Sequence, residues 1–321
     1  MLAGFPSPDL ACMSSGDSTR AILFALGANF AIACAKGVAA FFTGSSAMLA
    51  ETVHSLADCG NQLLLMLGLR QSRRVPTSDH PLGYGKAIYF WSFLVALMLF
   101  SVGGMYSLYE GWHKLHEHGV PDLSKLWWAV GVLVFAIGAE GMSMRACLQE
   151  VAQARGSRTL LQWFRESRQA ELVVIFGEDL AALVGLVLAL LAVVLTMVTG
   201  NPMWDALGTL AIGVLLVAVA VFVGIEVKAL LIGQGMEPAR EEALRAFIAA
   251  RPEVDQVISL ITLQLGNQVM LSVQAQMHER VDAKALVDRI NAVERAVKAQ
   301  FPEVRWSFFE PDFVGTDDRH D

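Results

Sequence analysis

From Ala87 to Tyr109 the chain reads AIYFWSFLVALMLFSVGGMYSLY, 23 residues without a charged side chain. At a helical rise of about 1.5 Å per residue this run is about 35 Å long, enough to cross a hydrocarbon core of about 30 Å. Five other stretches qualify beside it: 21–42, 46–69, 126–144, 172–199 and 206–227. A soluble fold has room to hide one such helix, not six. The expected fold is therefore an α-helical membrane protein, with a 1–20 tail followed by a six-transmembrane-helix bundle over 21–232.

Composition agrees. Of 321 residues 55% are hydrophobic and 17% charged, against about 25% charged in an ordinary soluble domain, and the mean hydropathy is +0.49. The net charge of −7 offers no basic face for nucleic acid. Four cysteines without ligand-like spacing exclude a disulfide scaffold. Met1 to Arg20 lacks the basic start, apolar core and cleavage site of a signal peptide.

Lysine and arginine set the orientation. Arg20, Arg70, Arg73, Arg74, Lys86, Arg145, Arg155, Arg158, Arg165 and Arg168 fall on one side, and only Lys114 and Lys125 on the other. Ten against two places both termini in the cytoplasm, with the 70–86 and 145–171 connections.

After Gly233 the character changes. The stretch 233–238 reads as a linker ending at a helix start, with proline in the first turn. Residues 239–250 pattern as an amphipathic helix, 255–264 and 268–277 as strands around Gly266-Asn267, 282–299 as a helix and 303–310 as a strand. That α-β-β-α-β order predicts a small α+β domain over 233–321, one sheet covered by two helices. With ten basic and fifteen acidic side chains it is soluble and acidic.

Ionisable groups inside a membrane are expensive and mark function. Here they are Lys36, Glu51, His54, Asp58, Glu140, Glu178 and Asp179, and the surplus of acids calls for a cation. Counting along the helices puts Asp58 and Asp179 about 12 Å, and Glu140 about 9 Å, above the inner edge. Glu51, His54 and Asp58 fall at i, i+3 and i+7, on one helical face. His54 and Asp58 can therefore reach one ion. Zinc takes imidazole nitrogen with carboxylate oxygen, whereas calcium and magnesium prefer oxygen alone. Manganese, iron(II) and cobalt also fit.

At these residues the chain resembles the cation diffusion facilitator family. The resemblance runs through Ser45-Ser46-Ala47-Met48-Leu49-Ala50-Glu51-Thr52-Val53-His54-Ser55-Leu56-Ala57-Asp58, then Asp79-His80-Pro81-Leu82-Gly83-Tyr84-Gly85-Lys86 and Tyr89-Phe90-Trp91-Ser92-Phe93. It continues in Glu140-Gly141, Glu178-Asp179, Asp205 and Leu230-Leu231-Ile232-Gly233. It is nearest the branch of the mitochondrial zinc transporter of animals and its bacterial relatives. It implies a homodimer in a lipid bilayer, a ferredoxin-like, metallochaperone-like cytoplasmic domain, and exchange of a divalent metal cation, zinc, for protons. A bacterial inner membrane is the expected location.

The departures are specific. The family's second helix-five ligand position holds Ile175, which cannot bind metal. Glu140 is favoured as the compensating ligand beside His54, Asp58 and Asp179; Glu178 is either that ligand or a proton carrier beside it. Asp79 and His80 remain from a second family site, but Tyr84 replaces its other histidine, so a solvated turn is expected. In the cytoplasmic domain the zinc-site positions hold Ile258, Gln274, Phe308 and Glu310. No binuclear zinc site is expected there, and the domain is assigned to holding the dimer together.

Other residues read as structural. His113, His116 and His118 crowd a solvated outer loop, and Cys34 and Cys59 pack. Lys36 either snorkels or neutralises an acid. Asn29 makes an interhelical hydrogen bond. The glycines of 102–104 and 208–213 allow close helix packing. No phosphate-binding loop is present, so this is not a nucleotide-driven pump, and no His-Glu-x-x-His helix suggests a protease. The rival readings are a passive cation pathway and a membrane sensor or scaffold with structural intramembrane acids.

Overall fold

The computed structural model describes residues 15–116, 126–278 and 282–313. Helices α1 (Ser15–Thr43) and α2 (Ser46–Ser72) are followed by one long helical run. That run comprises α3 (Ala87–Met98), a π-helical segment (Leu99–Met105) and α4 (Tyr106–His116). Then come α5 (Leu126–Arg155), the short α6 (Leu160–Glu166), α7 (Ala170–Thr199) and α8 (Met203–Ile232). The chain ends in α9 (Pro238–Ala249), β1 (Val254–Leu265), β2 (Gln268–Met277), α10 (Ala283–Gln300) and β3 (Val304–Pro311).

Four of these runs are long and apolar enough to cross a membrane: Ala87–His116, Leu126–Arg155, Ala170–Thr199 and Met203–Ile232. The expected count of six depends on α1 and α2. Their 29 and 27 residues suffice in length, but the polar face of α2 lowers its hydropathy. Phe41, Trp127, Trp128, Phe135 and Val198 stand exposed on the outside of the bundle, where a hydrocarbon solvent favours them. Inside, one apolar cluster gathers Met48, Leu133, Leu186 and Leu216, and another Tyr89, Trp163, Val173 and Val227.

Glycine lets two of these helices touch. A Cβ at Gly104 would lie 2.6 Å from a Val217 methyl, and one at Gly213 2.8 Å from the Leu108 backbone nitrogen. The expected close packing of the 102–104 and 208–213 stretches is thus in part the contact between the Ala87–His116 run and α8, while Gly208 lies against Ala192 of α7. The break into π-helix at these glycines was not expected from sequence.

Two connections differ from expectation. α4 carries His113 and His116 in its last turn, each against the aromatic ring four residues back, His113 stacked on Tyr109 and His116 tilted against Trp112. They belong to a helix and not to an open loop; His118 lies outside the described residues. The 145–171 connection is likewise structured, because α5 continues to Arg155 and α6 buries Trp163 and Phe164. Phe164 stacks on Phe222 with centroids 4.7 Å apart. Cys34, expected to pack, is exposed, while Cys59 is buried.

The C-terminal α+β portion follows its pattern closely, every element falling within two residues of expectation. β2 alternates buried and half-buried positions, the period of a one-face-covered sheet. The strand order is β1-β2-β3, with β1 and β2 antiparallel and β2 and β3 parallel through α10. Leu244 and Ile248 of α9 and Val293 and Val297 of α10 cover Leu271, Val273 and Ala275 of β2.

The β1–β2 turn seats on the start of α3. Gly266 turns at φ +66°, and its N–H donates to the Tyr89 hydroxyl at 2.9 Å. A Cβ on Gly85 would overlap the Leu265 carbonyl oxygen. Arg168 donates from Nε to the Gly235 carbonyl at 2.8 Å, and Arg158 pairs with Glu237 at 3.1 Å. Burial pushes the Arg168 guanidinium below the usual arginine pKa, opposed first by the Glu237 carboxylate; it stays charged. Gly85→Ala is expected to unseat the turn without unfolding either part. Hydrogen exchange at the Gly266 amide should then rise severalfold while exchange in the α7 core is unchanged.

Candidate functional site

The site is built on α2. Ser45 caps the helix, its hydroxyl accepting from the Met48 N–H at 3.2 Å. The same hydroxyl donates to Asp205 Oδ1 at 2.5 Å, while the N–H and hydroxyl of Ser46 donate to Asp205 Oδ2 at 2.7 and 2.9 Å. This ties the start of α2 to the start of α8. It fixes where the polar face of α2 points.

That face carries Glu51, His54, Asp58 and Asn61. Glu51 and His54 are fully buried. Lys36 of α1, also fully buried, lies 3.3 Å from Glu51 Oε2 and donates to the Ser55 hydroxyl at 2.7 Å. Of the two fates expected for Lys36, it neutralises an acid. His54 Nδ1 stands 3.5 Å from Asp58 Oδ1. Among the described residues neither ring nitrogen of His54, nor Asp58 Oδ1, has a hydrogen-bond partner.

Asp58 opens on a cavity of about 30 Å³ that α1, α2, α5 and α7 share. Asn29 lines it from α1; Ser55 and Gln62 join Asp58 from α2; Glu140 and Ser143 come from α5, and Glu178 and Asp179 from α7. The space suits one or two water-sized particles. Four of the five expected ligands thus meet around one cavity, and the fifth, His54, adjoins it through Asp58. The depth count from the sequence anticipated this convergence. Four carboxylates in so small a space repel one another, and a cation between them removes the repulsion. Among the described residues no three His, Cys, Asp or Glu side chains converge to the spacing of a formed metal site.

Two of the acids have partners the sequence reading missed. Asn61 donates from Nδ2 to Glu178 Oε1 at 2.6 Å, and Ser143 donates to Asp179 Oδ2 at 3.2 Å. Asn61 falls three residues after Asp58 on the stripe of α2, so the helical period alone pointed to it. Asn29, expected to bond between helices, lines the cavity instead. Ile175 is partly exposed, away from the cavity.

The remaining expected positions are ordinary surface. Thr77 and His80 close a tight turn through paired backbone hydrogen bonds of 3.2 Å, and the exposed His80 ring stacks on Tyr84 at 4.4 Å. His278, half exposed, lies 3.5 Å from Asp255.

A bundle of apolar helices enclosing a carboxylate-lined cavity defines a membrane protein that handles cations. Residues 22–232 match the cation efflux transmembrane domain, and the chain belongs to that family. It is 32% identical over 257 residues to the proton-coupled zinc antiporter SLC30A9, mitochondrial, of Xenopus laevis, covering 79% of this chain and 46% of that one. The human counterpart is 31% identical over 258 residues, 79% of this chain and 45% of its own. Metal tolerance protein C4 of Arabidopsis thaliana is 32% identical over 242 residues, 75% and 52%. The chain spans about half the length of the curated relatives it matches. The mitochondrial names among them lend the expected bacterial inner membrane no support.

Proposed function

We propose that this chain is a proton-coupled antiporter exporting a divalent transition-metal cation, zinc ahead of manganese, iron(II) or cobalt, from the cytoplasm. One observation carries the reading: Asp58, Glu140, Glu178 and Asp179 line a cavity of about 30 Å³ with His54 3.5 Å from Asp58. The zinc antiporter names of the relatives support it. In this reading α1 and α2 are the first two of six spans, 1–20 and the 233–321 domain are cytoplasmic, and two copies form the transporter.

From the cytoplasm the ion is taken by neutral His54 and ionised Asp58, Asp179 and Glu140. Imidazole nitrogen and carboxylate oxygens suit zinc at about 2.0–2.2 Å. Glu178, held by Asn61, carries protons beside it. Reorientation of the bundle exposes the site outward. There protons compete for the His54 imidazole and for a carboxylate, and the ion leaves. The protonated site returns.

The test is flux into sealed vesicles holding the purified chain, with zinc, manganese, iron(II) and cobalt offered in turn under an imposed pH gradient. Saturable metal movement with opposite proton movement is expected, and its loss in His54→Ala. Metal movement that ignores the pH gradient and does not saturate would identify a passive pathway instead.

The dimer has its own expected result. The positions matching the family's zinc site in this domain hold Ile258, Gln274, Phe308 and Glu310, so association is through packing. The full-length chain in detergent should remain dimeric by light scattering after exhaustive chelation. A chelator-dependent monomer would restore a structural metal to this domain.

A further inference from the structure

A second polar layer lies above the cavity, toward the outer ends of the helices. Three helices that line the cavity repeat a polar or glycine position seven residues further outward: Asn29 to Lys36 on α1, Asp58 to Glu51 on α2, and Glu178 to Gly185 on α7. Seven residues are about 10 Å, two turns, so the three positions stay on their inward-facing stripes. Lys36 and Glu51 do meet, at 3.3 Å. The third position is a notch: a Cβ on Gly185 would lie 2.6 Å from Glu51 Oε1. Glycine at that position leaves room for the carboxylate to reach α7.

The layer is incompletely satisfied. Glu51 Oε1 is buried without a hydrogen-bond partner, as are both ring nitrogens of His54 one turn below it. A buried acceptor left open costs stability, and a purely structural ion pair gains from closing every such site. Gly103 of the π-helical segment passes His54 as well, its absent Cβ 3.9 Å from Nδ1. A carboxylate oxygen and imidazole nitrogens without hydrogen-bond partners thus share one face of α2, one turn apart.

We propose that Glu51, with the His54 ring shared with the cavity site below, forms a second, transient station for the metal cation on the outward side of the cavity, the Glu51 position lying about 10 Å beyond that of Asp58. Lys36 is the tethered cation that neutralises Glu51 between passages. This inference rests on the transport reading. It makes Glu51 a group that touches the ion, and Lys36 a positioning residue that keeps the station from trapping it.

The double variant Lys36→Met/Glu51→Gln decides between this and a structural pair. Both charges go and volume is kept, a change that buried ion pairs commonly tolerate. Zinc binding to the full chain in detergent should stay close to that of the parent, because the lower cavity is untouched. Zinc flux in vesicles should fall by about tenfold or more, the scale seen when groups around a metal site are lost. Flux equal to the parent's overturns the station and leaves the pair structural. Gly185→Ala, which changes no charge, gives an independent reading should the double variant misfold. A severalfold loss of flux with zinc binding intact supports the station, and unchanged flux counts against it. A parent chain that moves no zinc overturns the transport reading and this inference together.

Discussion

Glu140→Gln is expected to abolish transport nearly as completely as Asp58→Asn. Both side chains face the same cavity of about 30 Å³, so either change removes one negative charge from the small space the ion would occupy. Loss of groups that merely orient ligands costs about 10–100-fold in metal affinity; loss of a ligand should cost at least the upper figure. Binding should also release fewer protons in each variant, since fewer groups deprotonate to take the ion. Glu178→Gln is expected to behave differently. Its Oε1 is occupied by the Asn61 amide at 2.6 Å, so metal affinity should hold while turnover slows. The measurements are zinc affinity by titration calorimetry and zinc flux in vesicles, with size-exclusion profiles to show that each variant folds. Strong zinc binding by Glu140→Gln with none by Glu178→Gln would reverse the two roles and close the site from α7.

Asp205→Ala is expected to lower the stability of the bundle by about 3–5 kcal/mol, the scale of removing one partner from a buried charged interaction. Its two oxygens accept from the Ser45 hydroxyl, the Ser46 N–H and the Ser46 hydroxyl at 2.5–2.9 Å. Thr209 adds a fourth link, its hydroxyl 3.2 Å from that of Ser46. Removing the carboxylate leaves a helix N-terminus and two hydroxyls without their acceptor, away from water. Asp205→Asn retains part of the acceptor set and should fall between the parent and Asp205→Ala. Thermal unfolding in detergent, followed by tryptophan fluorescence, reads the order. An Asp205→Ala variant that melts with the parent would show that α2 is held by apolar packing alone.

Much of the architecture was legible because its causes are local. Uncharged runs long enough to cross a bilayer identify themselves, and so does the change to alternating strands after Gly233. The turn at Gly266-Asn267 and the proline at the start of α9 placed the C-terminal elements within two residues. Polarity in α2 was also legible, as a stripe of Glu51, His54 and Asp58. The same stripe makes α2 less apolar than the four runs that qualify as spans on composition.

What escaped reading depended on partners distant in sequence. Asn61 and Glu178 are 117 residues apart, and Ser45 and Asp205 are 160 apart. No local pattern says which hydroxyl a given carboxylate will take. The choice for Lys36 was equally open until α1 packed on α2 and put Glu51 within 3.3 Å. The glycines could be read as places of close approach, but not for what they approach. Gly104 meets Val217, while Gly185 makes room for a carboxylate.

The sequence by itself determined that apolar helices long enough to cross a membrane run through the chain, and that acids recur along those helices. Each follows from hydropathy and the helical period, which are properties of neighbours along one chain. The tertiary structure decided which acids share a cavity, which are held by amide or ammonium partners, and which are left open. Those outcomes depend on the rotation and approach of whole helices, set by the summed packing of many side chains, and no single stretch of the sequence contains that sum.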